Sequence, residues 1–193
     1  MKNLFNKGLG IALIALFTVS FTTIKKERKQ INISESNVEW KAYKVTGSHK
    51  GIVNIKSGYL SLDDGKLSGG SITIDMTTIN TTDLTGEYKN KLDGHLKSGD
   101  FFGVEKYNTS TLDFTKVKVK GKNAYEVTGK LTIKGITKSV KFLISIYGNK
   151  ATASLKVDRT KYDIKYGSSS FFDNLKDKAI YDEFDLVAEL QLK

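Results

Sequence analysis

The stretch DGHLKSGDFFGVEKY, residues 93–107, places His95, one of two histidines in the 193-residue chain, among Asp93, Asp100, Glu105 and the aromatics Phe101, Phe102 and Tyr107. A histidine among carboxylates suggests proton transfer or metal binding, and each chemistry sets a geometric condition. A general base needs a partner within hydrogen-bond reach, and a metal needs two or three more ligands at workable spacing. The other histidine, His49, lies in the turn-like TGSHKG, and Asp93, Asp100 and Glu105 fall on differently directed parts of the chain. The sequence contains no nucleophile elbow, phosphate-binding loop or HExxH motif, and its lack of cysteine excludes thiolate chemistry, disulfides and cysteine-based zinc sites. A hydrolase built on His95 or His49 would need a carboxylate or hydroxyl converging on one of them. The residues favour a non-enzyme with no catalytic or metal-binding set, in which His95 is structural.

The elements that carry these residues follow from periodicity. From 82 to 98, Leu84, Tyr88, Leu92 and Leu96 recur every four residues, which predicts a helix capped by Thr82 or Asp83. Elsewhere the pattern alternates with period two, as in AYEVTGKLTIKG, where Tyr125, Val127, Leu131 and Ile133 alternate with Glu126, Thr128, Lys130 and Thr132. Gly129 takes an apolar position in that register, where a strand can bend. Glycine and asparagine turns such as DDGK, KGKNA and YGNK separate the runs. Roughly eight strands at hairpin spacing predict an all-β antiparallel barrel or sandwich with one packed helix. In SSSFF, three serines after Gly167 favour a long loop beside one end, whose Phe171 and Phe172 are expected to bury. Arg159, closing the apolar strand at VDRT, needs a carboxylate partner such as Asp100 or Asp182.

The segments GHLKSGDFFGVEKYNTSTLDF and YEVTGKLTIKGITKSVKFLI together resemble the paired signature of the YceI-like proteins, a lipid- or polyisoprenoid-binding family, and the likeness extends over residues 33–192. The resemblance implies an extended eight-stranded lipocalin-like barrel, a helix near its opening, an interior tunnel for a long isoprenoid or acyl chain, export, and no established catalysis. The chain departs from the family pattern at Asn108 and Ser139, where the family usually has proline, and at Asp163, where glycine is frequent. Tyr43 or Lys44 stands near the family's first-strand histidine.

An eight-stranded barrel is near the size at which one ligand fits inside. Alternation turns Trp40, Ile72, Ile74, Leu112, Phe114, Leu131, Ile133 and Phe142 inward, and Phe101 and Phe102 lie near one end; these ten are the expected lining of a continuous tunnel. The expected partner is a long-chain apolar molecule, whether isoprenoid, quinone-like or fatty acyl, and no other cofactor is expected. The alternative is a filled barrel acting as a basic interaction module for anionic lipid or polymer.

The formal net charge is +10, but most lysines are spread singly, as in TKVKVKGK, which marks solvated strand faces rather than a nucleic-acid stripe. Part of the charge is concentrated in KKERK, residues 25–29, beside which an anionic membrane surface is a second expected partner. Lys2 and Lys7, an apolar run over 9–21 and small residues at 20–23 have the layout of a secretory signal peptide, which predicts a periplasmic or secreted protein. The uncharged segment 8–24 leaves an uncleaved anchor as the alternative. The expected organisation is therefore a signal peptide at 1–23, a basic linker at 24–32 and a barrel domain at 33–193. A monomer and a dimer are both open.

Overall fold

The computed structural model describes residues 25–193; the expected signal peptide lies outside the described residues. The elements in chain order are β1 (Lys26–Gln30), β2 (Asn37–Lys44), β3 (Gly47–Asp63), β4 (Lys66–Thr81), α1 (Gly86–Lys97), β5 (Thr109–Val119), β6 (Ala124–Ile133), β7 (Ile136–Tyr147), β8 (Lys150–Asp158) and β9 (Ile180–Gln191). All strand pairs are antiparallel, in the order β1-β3-β2-β9-β8-β7-β6-β5-β4, and a further β3–β4 pairing closes the sheet. Closure removes the exposed edges that an open sheet would present.

Nine strand segments occupy eight barrel positions. Strand β2 pairs with β3 at one end of that long strand, from Gly47 to Val53, and β1 takes up the same edge from Tyr59 to Asp63. A 3-10 turn at Ile33–Glu35 separates them, and Ile31 bridges to Leu192. The stretch expected as a linker thus contains a strand. Its charge is no obstacle, because edge pairing needs only backbone groups; Arg28 also lies 3.9 Å over the Tyr59 ring.

The alternation read in AYEVTGKLTIKG survives closure intact. Tyr125, Val127, Leu131 and Ile133 are buried in the single core, while Lys130 is exposed. Gly129 is buried too, but as wall rather than as open interior: a β-carbon there would sit 2.9 Å from Leu112 and 3.1 Å from the Asp113 carbonyl. Tight hairpins at 64–65, 120–123 and 148–149 turn the chain at one end of the barrel. At the opposite end lie α1, the 45–46 and 134–135 turns, and the 159–179 connection.

The helix is shorter than predicted. It begins after Thr85, which makes no side-chain cap, and Tyr88, expected on the apolar face, is 76% exposed. Asp83 is not a cap. Its carboxylate instead accepts from the Lys50 amide at 3.1 Å and meets His49 Nδ1 at 3.0 Å. What docks α1 is Leu96, buried in the core, together with Asp93, which accepts from the Thr81 amide of β4 at 2.8 Å and pairs with Lys89. Among the described residues no helix is long and apolar enough to cross a membrane.

Candidate functional site: the barrel interior

The eight strands enclose an apolar cavity of about 150 Å³. All ten residues singled out from the sequence line it. Trp40 projects from β2, Ile72 and Ile74 from β4, Leu112 and Phe114 from β5, Leu131 and Ile133 from β6, and Phe142 from β7, while Phe101 and Phe102 come from the turn after α1. Ala153 of β8, a small residue that the alternation also turns inward, lines the cavity too, whereas sequence reasoning passed over Leu155 of β8 and Phe184, Leu186, Ala188 and Leu190 of β9, which line the opposite wall. Their signal was present, since they follow the same alternation in ATASLKV and YDEFDLVAELQL. On β9 the lining runs from Ile180 to Leu190, which at about 3.4 Å per residue is roughly 34 Å of strand.

A small volume spread along so long a wall makes the cavity slender. Where a continuous tunnel was expected, the interior is a narrow cavity and not a solid core. Aromatic rings narrow it: Phe114 and Phe142 meet edge to face at 5.4 Å, and Phe102 stands 5.3 Å from Phe101 and 6.5 Å from Phe184. The Trp40 indole lies over Gly51, its cross-strand partner, where any β-carbon would collide with the ring and with the Asn80 carbonyl. Gly51 is therefore what allows the indole to lie flat against the wall.

Polar groups reach the cavity mainly at the α1 end. Arg159 lines it there and is 2% exposed. Its guanidinium donates to the carbonyls of Ile164 at 2.7 Å, Ile180 at 3.0 Å and Tyr181 at 3.1 Å. The carboxylate expected from the sequence is Asp182, at 3.7 Å. Burial lowers the pKa of Arg159, and the charges of Asp182 and Asp158 act against that shift. Beside it, burial pushes the Tyr162 phenol up to about 12. Asp163, where the YceI-like pattern often has glycine, adopts a left-handed conformation at φ 58°, so the position keeps the backbone geometry that glycine permits. On β5, the Ser110 hydroxyl donates to the Thr132 carbonyl and offers the cavity no free donor.

Neither histidine assembles a reacting group. The His95 ring packs edge to face on Phe101 at 5.5 Å and Tyr166 at 4.3 Å, and its buried Nε2 has no hydrogen-bond partner. The structural part expected of His95 is thus played by its ring, through packing on Phe101 and Tyr166. His49, on β3 rather than in a turn, does meet a carboxylate, Asp83. That pair joins β3 to the loop before α1, and neither residue lines the cavity. The Lys50 amide and His49 hold Asp83 below the ordinary carboxylate value although burial alone would raise it. Among the described residues no cluster of three histidines or carboxylates is placed to hold a metal.

A closed antiparallel barrel with an apolar interior and a helix at one end defines a protein of the lipocalin-like type. Comparison with known sequences makes this more specific: the YceI-like domain matches residues 29–192, and the chain belongs to that family. A UPF0312 protein of Vibrio campbellii is 31% identical over 143 residues, 72% of this chain and 70% of the relative. One from Pseudomonas aeruginosa is 35% identical over 98 residues, 51% of this chain and 49% of the relative. Burkholderia cenocepacia BcnA superposes with a TM-score of 0.64 at 21% identity, covering 83% of this chain and 98% of that one. A polyisoprenoid binding domain from Saccharophagus degradans superposes at 0.58 and 13% identity, covering 86% and 98%. At these identities the superpositions establish a shared fold.

Proposed function

We propose that this protein is an exported, non-catalytic binder or carrier of a long-chain apolar molecule, an isoprenoid, quinone-like or acyl lipid, held inside the barrel. The observation that carries the reading is the continuity of the apolar lining, which on β9 alone extends from Ile180 to Leu190. Each methylene buried against such a wall contributes about 0.8 kcal/mol, so affinity grows with chain length rather than with any single polar contact. A cavity of about 150 Å³ is the size that holds a benzene-like ligand without rearrangement. A longer chain enters by moving flexible lining side chains, Met76 among them. The polyisoprenoid binding of the Saccharophagus degradans domain and the signal-like N-terminal run support the same reading.

The test is mass spectrometry of organic extracts from protein purified without detergent. A long-chain apolar compound in stoichiometric amount is the expected result. Protein that is empty as purified, and that takes up no isoprenoid, quinone or fatty acid when these are supplied, would overturn it.

A further inference from the structure

The segment that joins β8 to β9 contains two side chains whose placement departs from expectation. Phe171 and Phe172, expected to bury, are 49% and 52% exposed, and Tyr166 and Tyr181 at the same end of the barrel are 49% and 56% exposed. Tyr181 is also among the residues at the cavity's α1 end, so the exposed aromatics adjoin that end of the cavity. The backbone holds this arrangement: the Ile180 amide donates to the Gly167 carbonyl at 2.8 Å, and the Phe171 and Phe172 amides both donate to the Ser168 carbonyl. The exposed rings are thus presented by a hydrogen-bonded turn. Ser168 itself is fully buried, which roots the turn in the protein.

We propose that this end of the barrel docks onto the surface of a zwitterionic lipid bilayer, burying Phe171, Phe172, Tyr166 and Tyr181 at the headgroup level and bringing the cavity mouth to the membrane. The inference rests on the reading that the cavity holds an apolar chain, and it adds where that chain enters. Charge decides the kind of surface. Residues 159–183 carry five basic and five acidic side chains, so the segment that presents the rings has no net attraction for anionic lipid. Its affinity comes from aromatic rings, which prefer the boundary between headgroups and acyl chains. Lys165, whose ammonium lies 5.1 Å over the Phe171 ring, can extend toward the phosphates as the ring enters. A bilayer fits the patch because the cargo itself resides in bilayers, and a mouth seated there spares the chain exposure to water.

The experiment is co-sedimentation of the purified full chain with phosphatidylcholine vesicles, with and without about 0.5 M salt, which screens surface charge. The wild type is expected to partition onto vesicles equally at both salt levels. The F171S/F172S variant, altered only at exposed positions, is expected to bind at least about tenfold more weakly while keeping its melting temperature and its extractable ligand. Unchanged vesicle binding by the variant, or wild-type binding that disappears in salt, would overturn the proposal. So would wild-type protein that ignores vesicles but self-associates through these phenylalanines. Ligand-loaded protein that does not bind vesicles overturns docking alone. Vesicle binding that depends on Phe171 and Phe172 in a protein that neither carries nor takes up an apolar ligand supports docking and overturns the carrier reading instead.

Discussion

Arg159 places a permanent positive charge in the end wall of an apolar barrel, and three backbone carbonyls from two separate segments hold it there. Removing the guanidinium leaves those carbonyls without their donor and the nearby Asp182 carboxylate without its counter-charge in a buried setting. Arg159→Met is therefore expected to lower stability by about 3–5 kcal/mol, the cost of breaking a buried charge network from one side. Denaturant unfolding checks this, and a loss under about 1 kcal/mol would show that the carbonyls find water instead. His95 predicts the opposite sign. Its Nε2 is buried without a partner, and its ring contributes only aromatic packing on Phe101 and Tyr166. His95→Phe keeps the packing and removes an unpaired polar atom, so the variant is expected to melt at or above the wild-type temperature. A clear fall would mean that the imidazole has a hydrogen-bond partner that matters.

At the scale of elements, α1 is held to the barrel by Leu96 with Leu92 beside it, and by Asp93 and Lys89, which both reach β4. Burial alone would raise the pKa of Asp93, but hydrogen bonds from Lys89 and Thr81 hold it below the ordinary value of 3.8. A depressed native pKa means that the unfolded chain takes up the proton first as pH falls. The contribution is therefore complete above the ordinary value and is lost as pH falls below 3.8 through the native value. Asp93→Ala is expected to cost about 1–3 kcal/mol at pH 7, the penalty for an unpaired Thr81 amide and a lost charge partner. The gap between its melting temperature and that of the wild type should close as pH falls below about 4. A gap that stays constant through that range would show that the carboxylate charge contributes nothing. The wall strands make a separate point. A side chain at Gly129 meets Leu112 and the Asp113 carbonyl rather than open space, so substitution there reports on strand pairing and not on ligand entry.

For the whole molecule the useful probe is a position that faces the cavity without holding the wall together. Ala153 of β8 is such a position, small and in the lining. Ala153→Trp is expected to fold, with a stability loss of about 1–3 kcal/mol from overpacking, and to reduce long-chain ligand uptake at least about tenfold. Uptake titrated with a fluorescent fatty acid measures the effect. A folded variant that binds with unchanged affinity would mean that the chain does not pass β8. A variant that fails to fold would show that the interior around β8 is packed too tightly for a chain to pass.

Period-two alternation is a local property of the backbone, and it sorted residues such as Tyr125, Val127, Leu131 and Ile133 to the inner face without knowledge of the sheet order. Hairpin spacing then made closure the economical arrangement, which is why every lining residue chosen from the sequence does face the cavity. The missed lining residues of β8 and β9 obey the same rule. What alternation could not supply was the distance across the barrel. Whether opposing rings leave a gap depends on how eight strands tilt and stagger, and only the tertiary structure shows a slender interior narrowed by Phe114 against Phe142. The same holds for contacts between segments far apart in the chain. Asp93 reads as one carboxylate near a histidine until Thr81 is brought to it, and Arg159 reads as the partner of a carboxylate until the carbonyls of residues 164, 180 and 181 converge. Phe171 and Phe172 mark the limit most clearly: hydrophobicity gives a ring a reason to bury, but it takes the packed fold to determine whether any site remains to receive it.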